Sequence, residues 1–106
     1  MSAPDRSLGL LGLAVRAGAL VSGVEKVREG IRSGRIRFVI VARDASENSR
    51  GKLVPLLDAH RVQWEQRFDR AELGRAVGRE SLSVVGVTDA SFAARLRLIL
   101  ANDRAI

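Results

Sequence analysis

An α/β fold is what this sequence predicts: a three-layer α-β-α sandwich around a mixed sheet of about four strands. Three observations predict it. Helical and extended patterns alternate from one end of the chain to the other. Phe38-Val39-Ile40-Val41-Ala42 is an unbroken apolar run, too short for a buried helix and rich in β-branched residues. Such a run reads as a central strand covered on both faces. Helical patterns join most of the strand patterns, so at least some neighbouring strands run parallel.

The elements follow in order. Ser7 is positioned to cap a first helix over about 8–17, with Leu8, Leu11 and Val15 on one stripe. Gly18 stops it in a left-handed cap. Leu20–Val21 reads as a short strand. Ser22 is placed to cap a second helix over about 24–33. There Val24, Val27 and Ile31 face the core, while Glu25, Lys26, Glu29 and Arg32 point away. Gly34 ends that helix. After the Phe38–Ala42 strand, Arg43-Asp44-Ala45-Ser46 is a loop, and a third helix runs to about Asp58. Pro55 inside it crowds the carbonyl of Gly51, which predicts a bend. Val62–Phe68 alternates as a strand containing Trp64. Asp69 caps a short helix over 70–77, closed by Gly78. Leu82–Val87 is a further strand. Asp89 caps a last helix with Phe92, Leu96 and Ile99 at helical spacing, and the ends 1–6 and 102–106 are expected to fray.

The chain of 106 residues and its 46% hydrophobic content suit one domain with one core. No apolar run approaches the length of a membrane span, and MSAPDRS does not resemble a secretory signal. The absence of cysteine excludes disulfides, a thiolate nucleophile and a cysteine zinc site. A cytoplasmic location is the expectation. The net charge of +6 points to polyanionic partners. The excess is uneven: residues 1–53 carry ten basic and five acidic side chains, residues 54–106 eight and seven. Sixteen of the basic residues are arginine, whose forked guanidinium suits phosphate, although a GC-rich genome would also favour arginine.

Catalytic constellations are not apparent. The lone His60 lies at a helix end beside Arg61, where a solvated or capping role is the ordinary one. No glycine-rich dinucleotide or Walker phosphate loop is present. Asp44 and Glu47 lie beside Arg43 and Arg50 and read as helix-end charges rather than metal ligands. The expectation is a non-catalytic protein with no cofactor and no metal.

Four stretches carry a resemblance: Leu10–Gly23, Ile31–Ser46, Leu53–Val62 and, most specifically, Ala71–Asp89 with its Leu73-Gly74-Arg75-Ala76-Val77-Gly78 block. Through them the chain resembles the ribosomal and kink-turn RNA-binding superfamily typified by L-seven-Ae and L-thirty-e, and within it the bacterial YlxQ-like branch. The resemblance implies an α-β-α sandwich that binds structured RNA, ribosomal RNA included, without catalysis. It implies a contact surface from the start of the second helix, the loop after the central strand and the loop after the short Leu-Gly helix. Carried onto this chain, these are Ser22, Gly23, Glu25, Lys26, Arg28, Glu29 and Arg32; Arg43 and Asp44; and Gly78, Arg79, Glu80, Ser81 and Leu82. Free N–H groups at a helix start suit phosphate, and Gly23 permits close approach. Leu82 is expected either as an apolar platform for an unstacked base or as the first core residue of a strand.

The family's Gly-x-Asn-Glu-x-x-Lys signature is altered here. Glycine is kept at Gly23, but Glu25, Lys26 and Glu29 stand at the Asn, Glu and Lys positions. An ionised Glu25 cannot donate a hydrogen bond, and Glu29 repels phosphate. RNA binding is therefore the first reading, with kink-turn recognition open. The second is a protein-interaction module of the same fold that has lost RNA binding. The third is an accessory domain of a nucleic-acid-modifying enzyme or an unrelated small α/β enzyme. Expected partners are structured RNA and proteins of the translation or transcription machinery, not a membrane.

Overall fold

The computed structural model describes residues 3–104, with the side chains of residues 6–102. In chain order the elements are α1 (Ala3–Arg16), β1 (Leu20–Ser22), α2 (Val24–Arg32), β2 (Phe38–Val41), α3 (Glu47–Ala59), β3 (Trp64–Gln66), α4 (Arg70–Ala76), β4 (Val84–Val87) and α5 (Ala90–Arg104). The ends expected to fray are helical where they are described, from Ala3 in α1 and up to Arg104 in α5, and 1–2 and 105–106 lie outside the described residues.

The sheet has the order β1-β4-β2-β3. β4 is antiparallel to both β1 and β2, whereas β2 and β3 are parallel. The parallel pair is joined by α3, the crossover such a pair requires. α2 and α3 pack together over one face; α1 packs against α4 and α5 over the other. Both central strands, β2 and β4, are buried along their whole length, as the apolar runs require. Gly86 in β4 leaves room for Ile36, Val21 and Val27: a Cβ there would meet Ile36 Cδ1 at 2.9 Å.

Local signals set most boundaries. Gly18, Gly34 and Gly78 take φ values of 70°, 75° and 81° at the ends of α1, α2 and α4. Ser46 caps α3, its hydroxyl accepting from the Ser49 N–H at 3.1 Å. Asp69 and Glu72 form a reciprocal capping box on α4. The Asp89 carboxylate accepts from the Phe92 N–H at 2.9 Å. Pro55 lies within α3 without ending it.

The first helix departs from expectation. It begins before Ser7, which is a buried mid-helix residue and not the cap. Leu10, Leu11 and Ala14 form its core stripe, while Val15 is 37% exposed. In α5 the buried set is Ala93, Leu96 and Leu100, with Phe92 and Ile99 on its margins. The expected strands over 62–68 and 82–87 shorten to β3 and β4. Phe68 takes φ 63°, which breaks the extended pattern and turns its ring into the core at 1% exposure.

Candidate functional site

The strand directions gather the predicted loops at one end of the sheet. β1 ends at Ser22 beside Val85, and the Gly23 N–H donates to the Val84 carbonyl at 3.1 Å. β2 ends at Val41 opposite Val84, and the Ala42 N–H donates to the Ser83 carbonyl at 2.8 Å. Thus the start of α2, the turn at Arg43–Asp44 and the segment leading into β4 are held side by side by main-chain hydrogen bonds.

Gly23, not Ser22, is the N-cap of α2; Ser22 belongs to β1. Gly23 takes φ 97° and ψ 156°, a conformation essentially restricted to glycine. No side chain caps the helix, and nothing lies within 4 Å of where a Cβ would stand. The first turn therefore presents its N–H groups through an open surface, with the positive end of the helix dipole behind them. Lys26 is exposed beside it. Glu25 is held by two cations, Arg28 at 3.2 Å and Lys52 of α3 at 3.7 Å. Glu29 is exposed on the same helix.

The turn after β2 is braced from several sides. Arg50 Nη2 donates to the Arg43 carbonyl at 2.7 Å, and the Arg43 N–H donates to the Phe68 carbonyl at 2.8 Å. The Asp44 carboxylate accepts from the Arg70 N–H at 2.8 Å and pairs with the Arg70 guanidinium at 3.4 Å. That backbone N–H, helped by the guanidinium, holds the Asp44 carboxyl below the ordinary value of 3.8. The Arg43 side chain is exposed.

The loop after α4 depends on Gly74. The Arg79 N–H donates to the Gly74 carbonyl at 2.7 Å. A Cβ on Gly74 would lie 2.7 Å from Ser81 Cα and 2.8 Å from the Arg79 carbonyl oxygen. The loop therefore rests directly on the helix backbone, with Gly78, Arg79, Glu80 and Ser81 exposed. Leu82 is different: it is 6% exposed and part of the core. Its N–H donates to the Arg70 carbonyl at 3.0 Å. The apolar-platform expectation for Leu82 is thus overturned, because hydrophobic burial claims its side chain.

One other predicted residue stands apart. Arg32 occupies the last turn of α2, about 13 Å along the axis from Gly23 at ~1.5 Å per residue. It lies toward the opposite end of the sheet. Conversely, Arg50, Lys52, Arg70 and Gly74 shape this end and were not singled out for it. Only Gly74, inside the Leu-Gly block, carried a sequence signal; the pairings of Lys52 and Arg70 join residues 27 and 26 positions apart.

Among the described residues no group of His, Cys, Asp or Glu is arranged to hold a metal ion. No described helix is long and apolar enough to cross a membrane.

Comparison with known proteins gives a consistent result. Residues 5–96 match the model of the ribosomal protein L7Ae/L30e/S12e/Gadd45 family. The chain is 41% identical over 91 residues to RNA-binding protein YlxQ of Bacillus subtilis (strain 168), covering 86% of this chain and 91% of that protein. It is 33% identical over 96 residues to RNA-binding protein YlxQ of Enterococcus faecium, covering 91% and 92%. Among solved structures, a protein with unknown function from Bacillus halodurans C superposes with a TM-score of 0.85 at 34% identity, over 90% of this chain and 96% of that one. The Giardia lamblia 15.5kD RNA binding protein superposes with a TM-score of 0.77 over 99% and 91%; at 17% identity that likeness is one of fold.

Proposed function

The chain belongs to the ribosomal protein L7Ae/L30e/S12e/Gadd45 family, and from this premise we propose that it is a small, non-catalytic RNA-binding protein. It engages structured RNA through the sheet end formed by Gly23–Lys26, Arg43–Asp44 and Gly78–Ser81. The observation that carries this reading is the start of α2. Its glycine cap is open to solvent, and no side chain competes for its N–H groups. A phosphate or a base edge can approach that backbone more closely than any residue with a Cβ would allow.

The relatives named as RNA-binding proteins support the same partner. Glu25 and Glu29 argue against strong kink-turn affinity. Glu25 is tied to Arg28 and Lys52, so it draws two cations away from a phosphate. Glu29 adds an exposed carboxylate. These two residues favour the second reading, a protein-interaction module of this fold that has lost RNA binding.

A salt titration separates the two. With about four phosphates contacted, log K should fall with log[salt] at a slope of roughly −3 to −4. A hairpin RNA with an asymmetric internal loop is a suitable probe. Absence of binding at low salt, with the protein folded, would transfer the function to a protein partner.

A further inference from the structure

The end of the sheet opposite Gly23 carries a second arginine cluster. It is built where the chain enters β2 and β3. The Arg37 N–H donates to the Val87 carbonyl at 2.7 Å, and the Val39 N–H to the Gln63 carbonyl at 3.1 Å. This fixes residues 35–37 beside residues 61–63. A depression of 460 Å³ is lined by Arg37, His60, Arg61 and Gln63. An adjoining depression of 350 Å³, sharing Gly34 and Arg37 with it, is lined by Arg35 and Thr88. No carboxylate lines either one. Arg35, Arg37 and Arg61 are exposed. None of them is ion-paired among the described residues; the Arg35 guanidinium donates to the Ser33 hydroxyl at 3.0 Å.

Three arginines without an ion pair around two depressions that no carboxylate lines make this end attractive to phosphate. At the Gly23 end Arg28 and Lys52 pair with Glu25, Arg70 pairs with Asp44 and Arg50 donates to the Arg43 carbonyl, while Lys26, Arg43 and Arg79 are exposed. At the other end Arg32, in the last turn of α2, adds a further positive charge to the cluster. Helix C-terminal dipoles alone do not explain the cluster, because Arg35 and Arg37 lie beyond α2, on the connection to β2. Arg61 also holds φ 56°, an unfavourable backbone for arginine.

We propose that this arginine-lined end, at Arg35, Arg37 and Arg61, is a second RNA surface that binds the phosphate backbone of a helical segment beyond the one met by Gly23. The proposal rests on the RNA-binding reading but uses none of the residues assigned to the first surface. The two ends are separated by the sheet, ~13 Å for four residues of strand, so one folded RNA can reach both. The contacts are electrostatic and sequence-independent.

The test uses the internal-loop hairpin RNA in two forms, one short and one with a helical arm extended by about two turns. The protein is compared with its Arg35→Ala/Arg37→Ala/Arg61→Asn variant; asparagine tolerates the left-handed backbone at 61. The natural protein should show a steeper salt dependence on the long form. The triple variant should bind the short form unchanged but lose roughly 1.5–2.5 from the slope on the long form, the share of two or three phosphates. Amide shifts of residues 35–37 and 60–63 in the natural protein provide a second readout that no variant can confound. An unchanged slope, or amides unmoved by the long RNA, overturns the proposal. Gly23→Val tests the first surface separately. Short-form binding that survives Gly23→Val, beside a slope lost in the triple variant, removes the first surface and supports this one. Failure of the natural protein to bind either RNA overturns both.

Discussion

Replacing Gly74 by alanine probes how the loop after α4 is held. The new methyl group would stand 2.7 Å from Ser81 Cα and 2.8 Å from the Ser81 nitrogen and the Arg79 carbonyl oxygen. All three are main-chain atoms, so no rotamer change relieves the clash. Ordinary contact begins at 3.4 Å, so the loop must retreat by about 0.7 Å at its nearest point, a shift in the range where overpacking costs about 1–3 kcal/mol. Alanine's helix propensity returns roughly 0.5–1 kcal/mol. The net expectation is a loss of about 1 kcal/mol, together with a displaced Arg79–Ser81 loop. Gly51→Ala is the control. Gly51 also lies inside a helix, α3, but its Cβ would meet nothing within 4 Å. It should stabilise by roughly 0.5–1 kcal/mol. Urea unfolding of both variants measures the difference directly. Gly74→Ala as stabilising as Gly51→Ala would refute the close packing of loop on helix.

Three other perturbations follow from the structure. Val39→Asp places an unpaired charge where the native side chain is fully buried, and should cost at least about 4 kcal/mol or abolish folding, as read by circular dichroism and denaturation. Glu29→Lys reverses an exposed charge on α2 and should tighten RNA binding by roughly 1 kcal/mol, about fivefold, in a low-salt titration; weaker binding would show that phosphates do not pass this face. Asp44 titrates below 3.8 because the Arg70 N–H and guanidinium favour its carboxylate. It binds fewer protons folded than unfolded, so its stabilisation is complete above 3.8 and is lost as pH falls through its lower folded value. Asp44→Asn should therefore flatten the fall in thermal stability below about pH 4, and an unaltered acid profile would count against the Asp44–Arg70 contact.

The sequence made the sandwich legible because its signals are local. Phe38–Ala42 reads as a doubly covered strand, and Asp69 and Asp89 announce helix starts through their own side chains. The first helix misled because Leu8, Leu10, Leu11 and Leu13 are all apolar, so spacing alone does not choose the buried face. Packing against α4 and α5 chooses Leu10, Leu11 and Ala14. Phe68 and Arg61 take left-handed conformations that no non-glycine residue advertises. For the candidate site, Gly23 was readable from the resemblance, but Ser22 looked the better cap by residue type. Leu82 was readable as either core or platform, and only the fold separates them. The Asp44–Arg70 and Glu25–Lys52 pairs depend on tertiary placement. So does the crowding of arginines at the opposite end of the sheet, since Arg35 and Arg37 meet Arg61 only through the β2–β3 pairing.

The assignment of the Gly23 end of the sheet as an RNA surface is tested most directly by following backbone amide shifts while the internal-loop hairpin RNA is added at low salt. The amides of Gly23–Lys26, Arg43–Asp44 and Arg79–Ser81 should move together and saturate at one concentration, because the main-chain bonds Gly23–Val84 and Ala42–Ser83 hold the three segments in a single surface. Binding of the RNA with those amides unmoved would contradict it.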